Sequence, residues 1–465
     1  MFDHLSKPNG LTRDNLIVIF IAALTVRFLN GVSIDDFMQY AFVEDSPIYW
    51  DGAKAWLDSG YFSEATVDGF RPETERVPFY HLFLLPFRWA FGDTLRPVLI
   101  AQSVLDSSTC VIIALLGARL TRPTGLLAGL LAAAWPNLVI HSQLILNDSL
   151  FLFLFAGVLY FASNYLKAAR LADAVIVGLL CGGAIMTRSV ALYIPISMAI
   201  SAPFISRKVL GTWHSGIFAG IAMLGISLIV VSPLLWRNAN NYDSFQLTAQ
   251  GGTHSLHWIV GYVNSLEKGK TFTEEARNIQ KRHRAQIQQD GIQVDSSNPF
   301  EIAAAQVEFA KQEFSKIPPQ SVLKAWLFGA ALNLGTPAVV MDPRIRAHNW
   351  KSLMDSTGSS LTGRIWSFLD GNDPIYLIWV AIGMVASTLC AALQLYGWFV
   401  LLRHAMWPAI FGVLAIGYFL LVSGPVGAPK YRLPFEPVLI VFQAFALLNL
   451  FRRFGRGPAP SVSYH

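Results

Sequence analysis

The residues with most chemistry to offer stand beside apolar runs rather than within them. In "VEDSPIYWDGAKAW", residues 43 to 56, Glu44, Asp45 and Asp51 lie among Tyr49, Trp50 and Trp56. Further along, Arg76 precedes Pro78 and Tyr80, Asn147 and Asp148 stand at the mouth of one apolar run, and Arg188 and then Arg237/Asn238 stand at the ends of others. The stretch "PKYRLPFEP", 429 to 437, adds Lys430, Tyr431 and Arg432. Polar groups beside hydrocarbon are costly to keep, which makes them candidates for function. A carboxylate can serve as a base, and guanidinium and ammonium groups can hold a phosphate, so the set suits group transfer from an anionic carrier.

Each has a plainer role open to it. Asp45 precedes Ser46, Pro47 and an apolar-periodic run, which is where a helix N-terminus favours an acid and a proline. Asp51 reads as structural or acceptor-contacting. The arginines can anchor at the interface by snorkelling. The 429 to 437 stretch resists that reading, because it sets two cations against the basic-inside bias and bends the chain with prolines before the last apolar run.

Other matches fail on spacing or context. In "EKGKTF", 267 to 272, the first glycine of a phosphate-binding loop would fall on Asn264, and no strand precedes it. The sequon "NDS", 147 to 149, sits at a helix mouth where a glycan acceptor is implausible. His254 and His257 share a helical face but lack a nearby acid, so they read as headgroup, sugar or solvent contacts rather than metal ligands. Cys110, Cys181 and Cys390 all fall in apolar runs, with neither disulfide nor zinc spacing. No cofactor is firmly implied; a divalent metal is chemically conceivable, but no constellation supports one.

The elements that must position these groups are set by composition. Over 465 residues, 53% are hydrophobic and 14% charged, and the mean hydropathy is +0.44. That describes an all-α polytopic membrane protein rather than a soluble domain. A crossing helix needs about twenty apolar residues. Runs near 14–34, 95–118, 123–141, 144–166, 171–187, 190–206, 213–235, 374–402, 405–424 and 433–451 meet the rule, giving roughly ten spans. Segments 77–91 and 322–341 are interrupted, by Pro86 and Arg88 and by Asn333 and Pro337. If both lie along or dip into the outer surface, then Lys7/Arg13, Arg119/Arg122, Lys167/Arg170, Arg207/Lys208, Arg403/His404 and Arg452/Arg453/Arg456 all fall inside. Both termini are then cytoplasmic, and the first run is a retained span rather than a cleaved signal.

This topology puts residues 35–94, 236–373 and 426–434 on the outer face, where the chemistry-bearing residues collect. It divides the chain into an N-terminal transmembrane catalytic module, 1–235, an external loop domain, 236–373, and C-terminal transmembrane helices, 374–465. The loop from Arg237 to Gln320 carries nine Lys/Arg against nine Asp/Glu and a helical-looking run from Thr273 to Gln289, which suits a small external helical domain. The net charge of +5 arises largely from short basic clusters, so nucleic acid is not an expected partner.

The ordered pattern resembles the GT-C superfamily of integral-membrane glycosyltransferases. "EDSPIYWDGAKAWLDSGYF" looks like its signature after the first span, and "ERVPFYHLFLLPFRWAFG" like the next segment. "WPNLVIHSQLILNDSLFLFLFAGVLYF", "GGAIMTRSVALYIPI", "VVSPLLWRNANNYDSFQLTAQGG" and "APKYRLPFEPVLIVF" resemble later elements. Within it, the chain is most similar to the branch of aminoarabinose transferases and protein O-mannosyltransferases. The resemblance implies a polyprenyl-phosphate sugar donor, a lipid, glycan or protein acceptor at the outer face of a bacterial inner membrane, and inverting transfer with Asp45 as base and Asp148 as second acid. Arg76 would lie near the donor phosphate, with Glu44, Tyr49, Arg188, Arg237, Asn238, Lys430, Tyr431 and Arg432 around the substrates. Position 430 is Lys where Arg is common and position 76 Arg where Lys occurs, which bears on donor identity more than on chemistry. The rival class is a flippase for a lipid-linked sugar, which would need functional polar groups on both faces.

Overall fold

The computed structural model describes residues 10–34, 36–289, 297–348, 350–358 and 360–454. Lys7, Arg456 and both termini lie outside the described residues. The architecture is all-α apart from one hairpin, β1 (Ser63–Thr66) with β2 (Gly69–Pro72).

The first helix, α1 (Arg13–Val32), starts at a capping box in which Thr12 and Asn15 satisfy each other's backbone N–H. Two helices, α2 (Phe37–Ala41) and α3 (Ser46–Ser59), lead to the hairpin, and α4 (Phe79–Phe91) returns to the bundle. The bundle continues through α5 (Arg96–Ala118), α6 (Arg122–Ala133), α7 (Pro136–His141), α8 (Asp148–Ala168), α9 (Leu171–Thr187), α10 (Ile194–Leu210) and α11 (His214–Tyr242). Next come α12 (Gln250–Thr253), a π-helical turn (His254–Val260), α13 (Gly261–Lys268), α14 (Phe272–Gln289) and α15 (Pro299–Ser315). They pack on one another around Leu256, Val260, Val263, Ile279 and Phe309, which gives the loop after α11 its own small core. After α16 (Pro319–Gly335), α17 (Pro343–Arg346) and α18 (Leu361–Asp370), the chain re-enters the bundle as α19 (Pro374–His404), α20 (Met406–Ser423), α21 (Pro429–Arg432) and α22 (Glu436–Phe454).

Among the described residues, 8 helices are long and apolar enough to cross a membrane. Their large apolar side chains that no protein covers, such as Phe28, Trp236 and Val385, face what lipid would cover. This is an integral membrane protein. The expected span 171–187 is the 17-residue α9. The expected span 123–141 is not one rod: it breaks between α6 and α7 at Trp135, because Pro136 offers no N–H and holds its predecessor extended. The two ambiguous segments form α4, 13 residues, and α16, 17 residues. Neither is among the helices long and apolar enough to cross; α4, at 1.5 Å per residue, falls well short of a hydrocarbon layer of about 30 Å.

Close approach and one buried ion pair hold the bundle. A Cβ on Gly397 would stand 1.9 Å from the Phe442 carbonyl, so α19 and α22 meet only because that position is glycine. Arg27 on α1 is fully buried and donates to Asp106 of α5 at 2.5 Å and to the Ala133 carbonyl of α6 at 3.0 Å. That pair fixes three helices relative to one another, and breaking one side would strand a charge.

Candidate active site

The segments around 44–49, 73–76, 237–247, 334–346 and 429–436 come together through side-chain contacts, and most of the chemistry-bearing residues meet there. The turn before α3 decides the orientation of the acids. Ser46 Oγ accepts the Val43 N–H at 2.9 Å and donates to the Val43 carbonyl at 2.6 Å. Asp45 occupies the N-cap position of α3 yet makes no side-chain capping bond. Its carboxylate turns instead to Arg76, whose Nη2 lies 3.2 Å away, and remains 41% exposed. The helix-capping role open to Asp45 in the sequence is therefore not the one its carboxylate takes.

Glu44 has φ of 50°, a left-handed conformation that costs a non-glycine residue roughly 1–3 kcal/mol. It projects its carboxylate across the cleft to Lys430 Nζ at 2.5 Å and Arg346 at 3.6 Å. Burial works against ionising Glu44, but Lys430 and Arg346 outweigh it and hold the carboxyl below its usual range. The Lys430 ammonium lies 5.3 Å from the Tyr431 ring.

Arg76 is held by a turn that Glu73 closes. Glu73 Oε1 accepts the N–H groups of Glu75 at 2.6 Å and Arg76 at 3.0 Å. Glu73 is buried, which pushes its carboxyl upward. The second acid–base pair comes from the start of α8 and the end of α9. Asn147 donates to the Thr187 carbonyl at 2.8 Å, which ties the two helix ends so that Asp148 and Arg188 form an ion pair. Asp148 is only 4% exposed in that pair, against 41% for Asp45. Tyr49 lies between the two pairs, within the fields of Arg76, Asp45, Arg188 and Asp148, and burial pushes its phenol up to about 12. Its ring meets Tyr80 edge-on at 5.0 Å.

Three expected site residues are committed elsewhere. Arg432 donates to Glu436 at 2.8 Å and to the Leu334 and Thr336 carbonyls at 2.9 and 3.1 Å. Asn137 reinforces this by donating to Glu436 and to the Pro429 carbonyl, both at 2.9 Å, so Arg432 anchors the turn that presents Lys430. Arg237 donates to the Glu73 carbonyl at 2.6 Å, and Asn238 donates to the Gln246 carbonyl at 2.7 Å. That pair fastens the 73–76 turn and the 244–247 loop to the end of α11.

Two residues here were not singled out in the sequence. Arg346 lies in "MDPRIRAHNW", which has no recognisable motif. His141 ends α7; one ring nitrogen meets the Asn137 carbonyl at 2.8 Å while Nε2 is buried without a partner, within the fields of Asp148, Glu44 and Lys430. The only signal for His141 was a titratable residue in an apolar run. Glu44, Asp45, Glu75 and Asp148 thus face Arg76, Arg188, Lys430 and Arg346, four acids against four cations. Among the described residues, no three His, Cys, Asp or Glu side chains group as metal ligands.

Residues 76–236 match the sequence profile of the family described as dolichyl-phosphate-mannose-protein mannosyltransferase. The match takes in Arg76, Asp148 and Arg188 and leaves Asp45 outside. No curated protein matches significantly. Among solved structures, the archaeal oligosaccharyltransferase AglB from Archaeoglobus fulgidus, in complex with an inhibitory peptide and a dolichol-phosphate, superposes with a TM-score of 0.52 at 14% identity over 97% of this chain. The same enzyme tethered to an acceptor peptide containing the NVT sequon gives 0.53, also at 14% identity and 97% coverage. This chain spans about half the length of those structures, 52% of each. ArnT from Cupriavidus metallidurans bound to undecaprenyl phosphate aligns at 13% identity over 96% of this chain and 80% of its own, with a TM-score of 0.41. The likeness to the oligosaccharyltransferase structures shows a shared fold, an all-α membrane fold of GT-C-like type, and the family profile covers residues 76–236 of this chain.

Proposed function

We propose that this protein is a glycosyltransferase that moves a sugar from a polyprenyl-phosphate donor to an acceptor at the outer face of the membrane, with inversion and with Asp45 as general base. The observation that carries this reading is the placement of Asp45. Its carboxylate is free of helix capping, partly open to solvent, and stands beside Arg76 in a cluster that also holds Lys430, Arg346 and Arg188. The AglB structure with dolichol-phosphate supports the donor class.

The step balances with these residues. Asp45 takes the proton from the acceptor hydroxyl or amine, the freed lone pair attacks the anomeric carbon, and the bond from that carbon to the phosphate oxygen breaks. A phosphate leaves without a general acid, so one carboxylate suffices where a glycosidase needs two. The lipid phosphate gains negative charge as it departs, and Lys430, Arg346 and Arg76 are the cations placed to stabilise it. Asp148, buried against Arg188, holds that guanidinium in position rather than serving as the base. A prenyl tail would reach the site sideways from the bilayer. Purified protein incubated with a panel of polyprenyl-phosphate sugars should release lipid phosphate, read by mass spectrometry. Intact donors throughout would favour a flippase.

A further inference from the structure

Away from the Asp45 cluster, the helices after α11 enclose a polar cavity of about 120 Å³, walled by the π-helical turn, α14 and α15. His257, Gln280, His283, Arg284 and Gln306 supply its polar lining, and no carboxylate contributes. A π-turn inserts extra backbone into a helix and commonly marks a functional position. Here it carries His257 into the wall.

The donors and acceptors of this cavity are specific. His283 is 8% exposed and packs on Phe309 at 5.1 Å; the Ala305 main chain partners one side of its ring, and Nε2 has no partner. A buried polar atom left unpaired is unfavourable and calls for an explanation. Burial lowers the basicity of both His257 and His283, which favours the neutral ring in each. With its other nitrogen used on the main chain, neutral His283 presents Nε2 as an acceptor. The Gln280 amide nitrogen meets His257 Nδ1 at 3.1 Å, which makes Nδ1 the acceptor and leaves His257 Nε2 carrying a hydrogen to donate. Arg284, exposed at the rim, offers only donors.

An anion would suit Arg284 but set a lone pair against His283 Nε2, and a cation would meet Arg284 as a like charge. A hydroxyl satisfies both, because it donates and accepts. We propose that this cavity is a second binding site, separate from the Asp45 cluster, that takes adjacent hydroxyls on one edge of a sugar ring. Its volume suits an edge rather than a whole pyranose. If the chain is a transferase, the site would dock a glycan-bearing acceptor; that role rests on the proposed activity, whereas sugar binding itself does not.

Saturation-transfer NMR on the purified full chain in a detergent without a sugar headgroup tests this. The probes are methyl α-mannoside, methyl β-galactoside and methyl β-glucoside. At least one should receive saturation through its ring hydroxyl edge, with roughly five- to tenfold weaker affinity in Arg284→Ala and in His283→Phe. Arg284 is exposed, so its variant should fold even if the His283 variant does not. The Arg284-sensitive binding should be unchanged in Asp45→Asn. No saturation of any glycoside, equal binding in Arg284→Ala, or displacement by inorganic phosphate at constant ionic strength would each overturn the proposal. Arg284-sensitive binding in a protein that transfers from no donor would uphold this site and remove the transferase reading.

Discussion

Replacing Asp45 with Asn separates catalysis from structure. The substitution keeps the side-chain shape and removes the base. A positioned general base contributes about 10²- to 10⁴-fold, which corresponds to about 3–5 kcal/mol of barrier. The structural loss is far smaller. Asp45 makes no capping bond, and its 3.2 Å contact with Arg76 is 41% exposed on the acid's side. Solvent-screened pairs of this kind contribute about 0–1 kcal/mol, so the melting temperature should fall by no more than about 4 °C. The assay is initial-rate release of lipid phosphate, run beside a thermal melt of the same preparation. Asp45→Asn should lose at least about a hundredfold in rate while melting near the wild type. If Asp45 were only a partner for Arg76, the rate would fall by less than about tenfold, in line with the pair's small energy. A rate within tenfold of wild type would refute the assignment.

Three further outcomes follow from the same geometry. Arg188→Leu leaves Asp148 buried without its cation and should cost about 3–5 kcal/mol of stability; Asp148→Leu/Arg188→Leu should regain most of the melting temperature but little transfer. Glu73→Gln keeps the oxygen that closes the turn beneath Arg76 and should stay near wild type, whereas Glu73→Ala should lower turnover by up to about a hundredfold through misplacement of Arg76, a contrast read by steady-state rates. The Glu44 carboxyl is held below its usual range in the folded state, so its stabilising effect is complete above the unfolded value of about 4.3 and fades as pH falls towards the folded value. Melts at stepped pH should show that acid loss in wild type and less of it in Glu44→Gln.

The class and the bundle were legible because apolar length and charge bias act along the chain, one segment at a time. The break between α6 and α7 was legible in principle, since Pro136 announces it, but an apolar run on both sides concealed it. What the sequence could not order was the set of acids and cations at the candidate site. Glu44 and Asp45 are neighbours of the same chemical type. Only the left-handed backbone at Glu44 and the Ser46–Val43 bonds send one towards Lys430 and the other towards Arg76. Arg432 and Arg237 carry the same guanidinium as Arg76, yet carbonyls contributed by distant segments, Leu334 and Thr336 in one case and Glu73 in the other, occupy them. Arg346 reaches Glu44 across hundreds of residues, from a loop with no pattern. The Arg27–Asp106 pair is likewise a matter of which helix faces which, and two polar residues on separate apolar runs do not reveal that they meet.

The configuration of the transferred sugar tests the central claim most directly. Product formed by the purified protein from a polyprenyl-phosphate sugar of known anomer can be assigned by the anomeric coupling constant in NMR. One base and direct displacement of the lipid phosphate predict inversion at the anomeric carbon in every turnover. Retention would require a double displacement or attack on the same face as the departing phosphate, and would contradict the direct displacement assigned to Asp45 as base.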